Sequence, residues 1–346
     1  MSLWLEQALT AYFQAFGLAC GWSSSRLGRL LGSSFLVLIV IEMTREVVCY
    51  FREELPTNDI ISMYFVKTIQ SVNVVYKMVH GWFAFMAIFE CRRVRRLLKQ
   101  LPLTGGTAFI YRHLILELIQ LACIIVIVYY EYSIGGLYLE NLRYAFSLQA
   151  VRARYLQMIL LVKRLDDQLE QLHLRMMYGC TDYKTLRSDF AQLVKMSRSL
   201  SKLFGLSLLL LNILCLADWI IVCNVYFMVE HLKALQGTWF VFAQAMFVVV
   251  PTIIKICTIC ATCHRCVAKS KNLLKQLKDR PGQTPAERSQ IEGFALQIMQ
   301  DPIQFNVCGI YHLNLQTLAG MFFFILEALV IFLQFVSLIR PQAMDK

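Results

Sequence analysis

Two consecutive stretches near the end of the chain decide its fold: FNVCGIYHLNLQTLAG at 305–320 and MFFFILEALVIFLQFVSL at 321–338. The second stretch is long and apolar enough to cross the hydrocarbon core of a bilayer, which takes about 20 residues of helix. It carries one acid, Glu327, and one amide, Gln334, and the first stretch gives it a short polar entry. These stretches predict a terminal membrane-spanning helix that carries polar groups.

The composition of the whole chain is that of an integral membrane protein. Mean hydropathy is +0.54, 58% of the 346 residues are hydrophobic and only 16% are charged, whereas about a quarter of residues are charged in soluble domains. The formal net charge of +11 does not indicate nucleic-acid binding, because the basic residues lie between apolar runs and not on one face of a soluble domain. We expect an all-α membrane protein in the lipid bilayer, with no nucleic-acid partner.

Seven apolar segments are candidate membrane spans, numbered here in chain order: 31–51, 66–90, 113–132, 136–161, 203–229, 238–263 and 315–339. Span 4 is the least regular, because Arg143, Arg152 and Arg154 interrupt it. The pattern predicts seven transmembrane helices.

Lysine and arginine concentrate in alternate connections. The N-terminal tail and the connections after spans 2, 4 and 6 are basic, whereas the intervening segments hold few basic residues. Because short cytosolic loops retain Lys and Arg, this alternation predicts a cytosolic N-terminus and an extracellular C-terminus. A seven-helix receptor coupled to G proteins has the opposite orientation, which disfavours that class.

Two of the predicted helices extend beyond the membrane. Apolar residues continue at three- and four-residue spacing through 156–174 and 273–277, so the helices of spans 4 and 6 are expected to pack in the cytosol. The turn-forming cluster at 279–285 then ends the second extension. Thr284 followed by Pro285 predicts a new cytosolic helix running to about Gln300.

Charged residues inside spans 1 and 2 lie at matching depths. Span 1 runs outward and span 2 inward, so Glu42 and Lys77 fall near mid-membrane, and Glu46 and Lys67 fall nearer the outside. Such charges are costly in hydrocarbon and usually mark ion pairs or pathways. Two interhelical ion pairs are therefore possible, while Arg45 could instead pair with Glu42 within one helix.

The outer halves of the middle spans hold aromatic and polar side chains suited to a small organic ligand. The candidates are Tyr130, Tyr132, Asp218, Trp219, Asn224, Trp239 and Gln244. The alternative is an aromatic belt at the membrane interface. Asp218 and Trp219 are the better candidates because they lie deeper, where an unpaired acid is expensive.

A run of four cysteines ends span 6: Cys257, Cys260, Cys263 and Cys266. With His264 it contains the C-x-x-C-H pattern of covalent haem attachment. Three-residue spacing on a helix instead favours small packing residues or juxtamembrane palmitoylation sites. No catalytic arrangement or phosphate-binding loop is present in the sequence, so we expect a non-enzymatic protein with no catalytic residue, cofactor or metal.

The terminal stretch resembles the C-terminal signature of the insect gustatory receptors. In that family the last helix reads Thr-Tyr, five apolar residues and Gln-Phe, with a Cys-Gly pair upstream. Here residues 329–333, Gln334–Phe335 and Cys308–Gly309 match that pattern, and Glu327–Ala328 stands where the family has Thr-Tyr. The chain is identified as a divergent member of that family within the insect chemoreceptor superfamily.

The resemblance implies a tetrameric ligand-gated cation channel whose last helices surround the pore, with Gln334 and Phe335 at the gate. On a helix Glu327, Ile331, Gln334 and Leu338 share one stripe. Four copies of Glu327 would form an acidic ring that favours cations. Alternatively, Glu327 pairs with a basic residue of a neighbouring helix.

The same resemblance implies five regions: a cytosolic segment at 1–30, six spans with an outer ligand pocket at 31–263, a cytosolic connection and anchor helix at 264–314, a pore-lining helix at 315–339 and an extracellular tail at 340–346. A small tastant and related subunits, in a homo- or heterotetramer, would be the partners. The expected location is the plasma membrane of a sensory neuron dendrite.

Two other classes stay open from the sequence. A secondary transporter also places charges at mid-membrane, but it usually shows internal repeats and interrupted helices, which are not evident here. A non-conducting auxiliary or scaffold relative of the same family fits the replacement of Thr-Tyr by Glu327–Ala328.

Overall fold

A computed structural model of the chain describes residues 2–19, 22, 26–52, 60–101, 107–135, 138–178, 182–231, 246, 249–280 and 284–344. These residues are helical apart from turns and one short hairpin. The elements in order are α1 Ser2–Ala15, α2 Arg26–Arg52, α3 Ile60–Phe89, α4 Cys91–Gln100, α5 Thr107–Gly135, α6 Tyr138–Met177, α7 Tyr183–His231, α8 Val250–Asp279, α9 Pro285–Gln300, β1 Asn306–Val307, β2 Tyr311–His312 and α10 Leu315–Met344.

The predicted spans coincide with long helices. Spans 1 to 4 fall on α2, α3, α5 and α6, span 5 on α7 and span 7 on α10, while the described part of span 6 falls on α8. Among the described residues, four helical segments are long and apolar enough to cross a membrane: Ser71–Phe89, Ala108–Val126, Tyr183–Trp219 and Val250–Asp279. The chain is therefore an all-helical protein with at least these four candidate spans.

Helix α6 is the centre of the bundle, since it packs against α3, α5, α7 and α8. Its two central arginines, Arg152 and Arg154, are fully buried. The Arg154 guanidinium lies 3.6 Å from the carboxylate of Glu90, donates to Gln157 at 3.0 Å and stacks over the Phe204 ring at 4.4 Å. Arg152 and Arg154 thus face protein, which explains how an apolar bundle tolerates these two arginines of span 4.

The predicted helical extensions are present. Helix α6 continues to Met177 and α8 to Asp279, and their periodic leucines, such as Leu169 and Leu273, are fully buried in one core. Helix α7 also begins far before span 5, at Tyr183, which the sequence analysis treated as part of a long connection. Twelve of the 20 residues at 183–202 are polar, and they hid that part of α7.

Helix α9 begins where its sequence predicts. The Thr284 hydroxyl accepts a hydrogen bond from the backbone N–H of Glu287 at 3.2 Å, and Pro285 occupies the first helical turn. Its apolar face contributes Phe294, whose ring meets Phe190 of α7 edge-on at 5.8 Å. The predicted helix from Pro285 to Gln300 is present, while its cytosolic location stays a prediction.

Three elements were not predicted. Helix α1 lies within the expected N-terminal segment and buries Leu9 and Phe13 against the bundle, where it contacts α5. Helix α4 follows α3 after a single turn residue, Glu90. Strands β1 and β2 pair antiparallel, with Val307 opposite Tyr311, so the polar entry of the terminal stretch is a hairpin.

Candidate functional site

Asp218 on α7 is buried and bonded to a second helix. Its carboxylate accepts a hydrogen bond from the hydroxyl of Tyr76 on α3, and both side chains are almost inaccessible. Trp219, the next residue, is half-buried. Asp218, whose burial without a partner would be costly, thus has a hydrogen-bond donor in Tyr76. No sequence pattern predicted Tyr76, because the pairing depends on how α3 packs against α7.

A second polar cluster joins four helices inside the bundle. Glu117 on α5 forms an ion pair with Lys255 on α8, and both side chains are buried. The Glu117 carboxylate also accepts from Tyr12 of α1 at 3.0 Å and from Gln149 of α6 at 2.8 Å. Gln149 donates to the Tyr12 hydroxyl at 2.7 Å as well.

The sequence analysis missed this four-residue cluster, although a signal existed. Glu117 lies within span 3 and Lys255 within span 6, and a charge inside a span calls for a partner. The predicted interhelical pairs lie between spans 1 and 2. Tyr12 lies in a segment that was treated as a tail.

Arg152 lies between the two clusters. Its guanidinium is fully buried, and its charge acts on Asp218 as well as on Lys255 and Tyr12. One cation on the central helix α6 is therefore electrostatically coupled to the acid of α7 and to the ion pair between α5 and α8.

The other predicted ligand residues are scattered along α5 and α7 or lie outside the described residues. Tyr130 and Tyr132 belong to α5, and Asn224 belongs to α7. The side chains of these three residues are not among those described. Trp239 and Gln244 lie wholly outside the described residues. The structure therefore brings together Asp218 and Trp219, with Tyr76 as an added member.

The charges predicted to pair between α2 and α3 lie on helices that pack against each other. Lys77 is buried, whereas Glu42 and Lys67 are half-buried. The Glu46 side chain is outside the described residues. The two interhelical ion pairs stay predictions.

The polar stripe of the terminal helix faces away from its own bundle. Glu327, Ile331 and Gln334 are all exposed, as are the apolar neighbours Phe323 and Val330. Phe335 and Leu338 also belong to α10, and their side chains are not described. On a membrane-spanning helix, such an exposed surface is accessible to lipid or to another subunit.

The Cys-Gly pair of the terminal signature forms the tip of the hairpin. Cys308 and Gly309 both have positive φ, 52° and 77°, and the Gly309 N–H donates to the Asn306 side chain at 2.8 Å. The tip approaches α7 at Gly205, where an added Cβ would come within 3.2 Å of the Cys308 nitrogen. Glycine at 205 permits this close contact, and glycine at 309 supplies the left-handed turn.

The cysteine run of α8 is a packing surface. Cys260, Cys263 and Cys266 are buried and Cys257 is half-buried. Burial of three of the four thiols contradicts the palmitoylation alternative for those residues. Within the described part of the chain, no group of three or more His, Cys, Asp or Glu side chains is arranged to hold a metal.

A cavity of about 480 Å³ separates α10 from α7 and α8. Apolar side chains form most of its wall, and Asn212, Tyr311 and Thr317 are its polar residues. The sequence analysis did not anticipate it, because its wall combines residues from three helices and the hairpin.

Comparison with known proteins identifies related chains. The family model described as 7tm Chemosensory receptor matches residues 6–339. A Drosophila melanogaster protein named "Putative gustatory receptor 9a" is 70% identical over 340 residues, which cover 98% of this chain and all of the relative.

One solved structure shares the fold. The insect olfactory receptor OR5 from Machilis hrabei matches with a TM-score of 0.70, over 96% of this chain and 98% of that chain, at 12% sequence identity. At this low identity the match demonstrates a common helical architecture, and it carries no residue role from one chain to the other.

Proposed function

This chain belongs to the 7tm chemosensory receptor family, and on that premise we propose that it is a gustatory receptor acting as a ligand-gated cation channel. The family consists of chemosensory receptors and not of enzymes. We propose seven spans from a cytosolic N-terminus to an extracellular C-terminus, in the plasma membrane of a sensory neuron dendrite. The alternating loop charges support that orientation.

The observation that carries the channel proposal is the exposed polar stripe of α10. Glu327 and Gln334 are exposed on the single chain within an otherwise apolar helix, where contact with lipid would be costly. In a tetramer of identical or related subunits, four such stripes would surround a water-filled pore. Glu327 would then form a cation-favouring ring, with Gln334 and Phe335 at the gate.

We propose that a small tastant binds among the outer halves of the middle spans, beside Asp218 and Trp219. Tyr130, Tyr132, Asn224, Trp239 and Gln244 complete that proposed pocket. A ligand there opens the pore only to the extent that it binds the open arrangement more tightly than the closed one. The contact of Tyr76 with Asp218 links the pocket to α3.

The proposed regions follow the order of the helices. Residues 31–263 hold spans 1 to 6, 264–314 form a cytosolic anchor where subunits meet, and 315–339 line the pore. The packing of α9 against α7 and α8 supports a compact anchor. Residues 1–30 are proposed as cytosolic and 340–346 as extracellular.

A second candidate function is a non-conducting auxiliary or scaffold subunit. One observation favours it: Glu327–Ala328 replaces the Thr-Tyr dipeptide that the resemblance leads us to expect. In that case Glu327 would bind a basic residue of another subunit and would not face water.

Patch-clamp recording tests both candidates. Cells expressing the chain, alone and with related receptors, would be exposed to sugars, bitter compounds and carbon dioxide. The channel proposal predicts ligand-evoked cation currents whose cation preference or conductance falls in Glu327→Gln, while Glu292→Gln on the exposed face of α9 leaves them unchanged. Unchanged currents in Glu327→Gln would remove Glu327 from the pore, and silence under all conditions would favour the auxiliary role.

A further inference from the structure

The cavity between α7, α8 and α10 has one polar end and apolar walls. Its volume, about 480 Å³, lies within the roughly 300–1,000 Å³ of typical small-molecule sites. Leu216, Ile253, Met321 and Phe324 contribute to the apolar wall. Asp218 and Trp219 do not line it, so it is separate from the proposed tastant pocket.

The polar end of the cavity presents the hydroxyl of Tyr311 as a hydrogen-bond donor. Asn212 donates its amide to the Tyr311 hydroxyl and accepts from Tyr155 at 3.5 Å. The Thr317 hydroxyl is already bonded to the His312 carbonyl at 2.7 Å. Within the described ranges, no acceptor is recorded for the hydroxyl proton of Tyr311, which therefore can be donated into the cavity.

Tyr311 remains a neutral donor at physiological pH. Burial raises the pKa of its hydroxyl to about 12, against a smaller opposing effect of the hydrogen bond from Asn212. An oxygen acceptor on a ligand therefore meets an O–H group and not a phenolate.

The polar and apolar groups of the cavity follow one another along the chain as the head and tail of a lipid do. Tyr311 lies just before α10 and Thr317 lies in its first turn. Met321 and Phe324 lie one to two turns further along the helix. At 1.5 Å per residue, the apolar wall reaches about 14 Å beyond Leu315, where the helix starts. A molecule with an oxygen head and an apolar tail fits this gradient.

We propose that the cavity binds a single-chain amphiphile drawn from the surrounding bilayer, a fatty acid or fatty alcohol. Its oxygen accepts a hydrogen bond from Tyr311, and its chain lies along the apolar wall that α7, α8 and α10 form. The cavity adjoins Gly320, beside which an added Cβ would meet no atom within 4 Å. Glycine at this position leaves the space open.

Photolabelling tests this site independently of any current. Full-length protein in lipid nanodiscs would be irradiated with palmitic acid that carries a diazirine on its chain, and labelled peptides would be mapped by mass spectrometry. We expect label on 209–216 of α7 and 317–324 of α10. Excess oleic acid should compete, whereas hexadecane, which has no oxygen, should compete at least several-fold less well.

Three variants test whether the label is bound in this cavity. Gly320→Leu fills the cavity and is expected to reduce labelling about tenfold, equivalent to ~1.4 kcal/mol of binding free energy. Ala319→Leu, at an exposed neighbour that does not line the cavity, should retain it. Tyr311→Phe keeps the shape but loses the donor and should reduce labelling about three- to tenfold.

Specific outcomes would overturn the proposal. Equal labelling of Gly320→Leu and the parent protein would contradict the site. Label spread evenly over the exposed face at Phe323 would also contradict it, because lipid surrounding the protein gives that pattern. If Gly320→Leu fails to purify as a monodisperse protein, the conservative Tyr311→Phe decides: labelling equal to that of the parent rejects a bound oxygen head.

Discussion

Glu117 on α5 and Lys255 on α8 form an ion pair that is buried inside the helical bundle. Tyr12 and Gln149 donate further hydrogen bonds to the same carboxylate. A buried charge pair is neutral in cost only when its remaining hydrogen-bonding capacity is also used. The position of α1 against the bundle is therefore tied to the pairing of α5 with α8.

Removing one partner of this pair should destabilise the protein strongly. Lys255→Met leaves the Glu117 carboxylate buried without its cation, and the expected loss is about 3–5 kcal/mol in the free energy of unfolding. The double variant Glu117→Gln with Lys255→Met keeps an acceptor for Tyr12 and Gln149 and should lose less than Lys255→Met alone. Thermal unfolding of detergent-solubilised protein, followed by tryptophan fluorescence, measures both.

An exposed ion pair provides the control. Arg198 and Asp301 lie 2.7 Å apart with side chains 59% and 49% exposed, so Asp301→Asn should cost less than about 1 kcal/mol. A loss in Lys255→Met no larger than that in Asp301→Asn would contradict the buried pair.

The hydroxyl of Tyr76 should matter for both stability and ligand response. Tyr76→Phe removes the donor to Asp218 and leaves a buried acceptor short of a partner, at a cost of about 1–3 kcal/mol. Under the proposed function, it should also raise the half-maximal ligand concentration several-fold. Tyr111→Phe, on an exposed tyrosine of α5, is the matched control, and equal dose–response curves for the two variants would place Tyr76 outside the pocket.

The N-terminal cap of α9, Thr284, should stabilise the helix by about 1 kcal/mol. Thr284→Ala removes the acceptor for the Glu287 N–H, and caps of this kind typically contribute that much. Hydrogen exchange of the first-turn amides of α9 should accelerate in Thr284→Ala and stay near the parent rate in Thr284→Ser. Equal exchange in both variants would show that Pro285 and the packing of α9 suffice to start the helix.

Adding one methyl group at two glycines should have opposite effects. An added Cβ meets nothing within 4 Å at either Gly309 or Gly320, so contacts do not decide the outcome. Gly309 has φ +77°, and Gly309→Ala should cost about 1–2 kcal/mol because left-handed backbone strains an L-residue. Gly320 lies within α10, and Gly320→Ala should stabilise by up to about 1 kcal/mol through helix propensity.

Calorimetric or fluorescence-detected melting compares these two variants in one buffer. A destabilising Gly320→Ala would contradict the absence of protein atoms beside Gly320. A neutral Gly309→Ala would indicate that the hairpin tip can leave the left-handed conformation without loss.

Much of the helix pattern could be read from the sequence because its causes are local. Hydrocarbon thickness and the need to satisfy backbone groups set the length of apolar runs, and each of the seven spans coincides with a long helix over nearly all of its described residues. The Thr284–Pro285 start of α9 is equally local. Helix α1 was missed because a short amphipathic helix carries a weak signal until its partner surface is known.

The sequence by itself determined that the chain is a bundle of membrane-length helices, which of its residues are costly charges and which family signature ends it. Only the tertiary structure decided which polar side chains meet: Tyr76 with Asp218, and Glu117 with Lys255. Hydropathy gives a residue's depth in the membrane, whereas contact also requires that two helices lie side by side and turn the right faces together. That second condition depends on the packing of the whole bundle around α6.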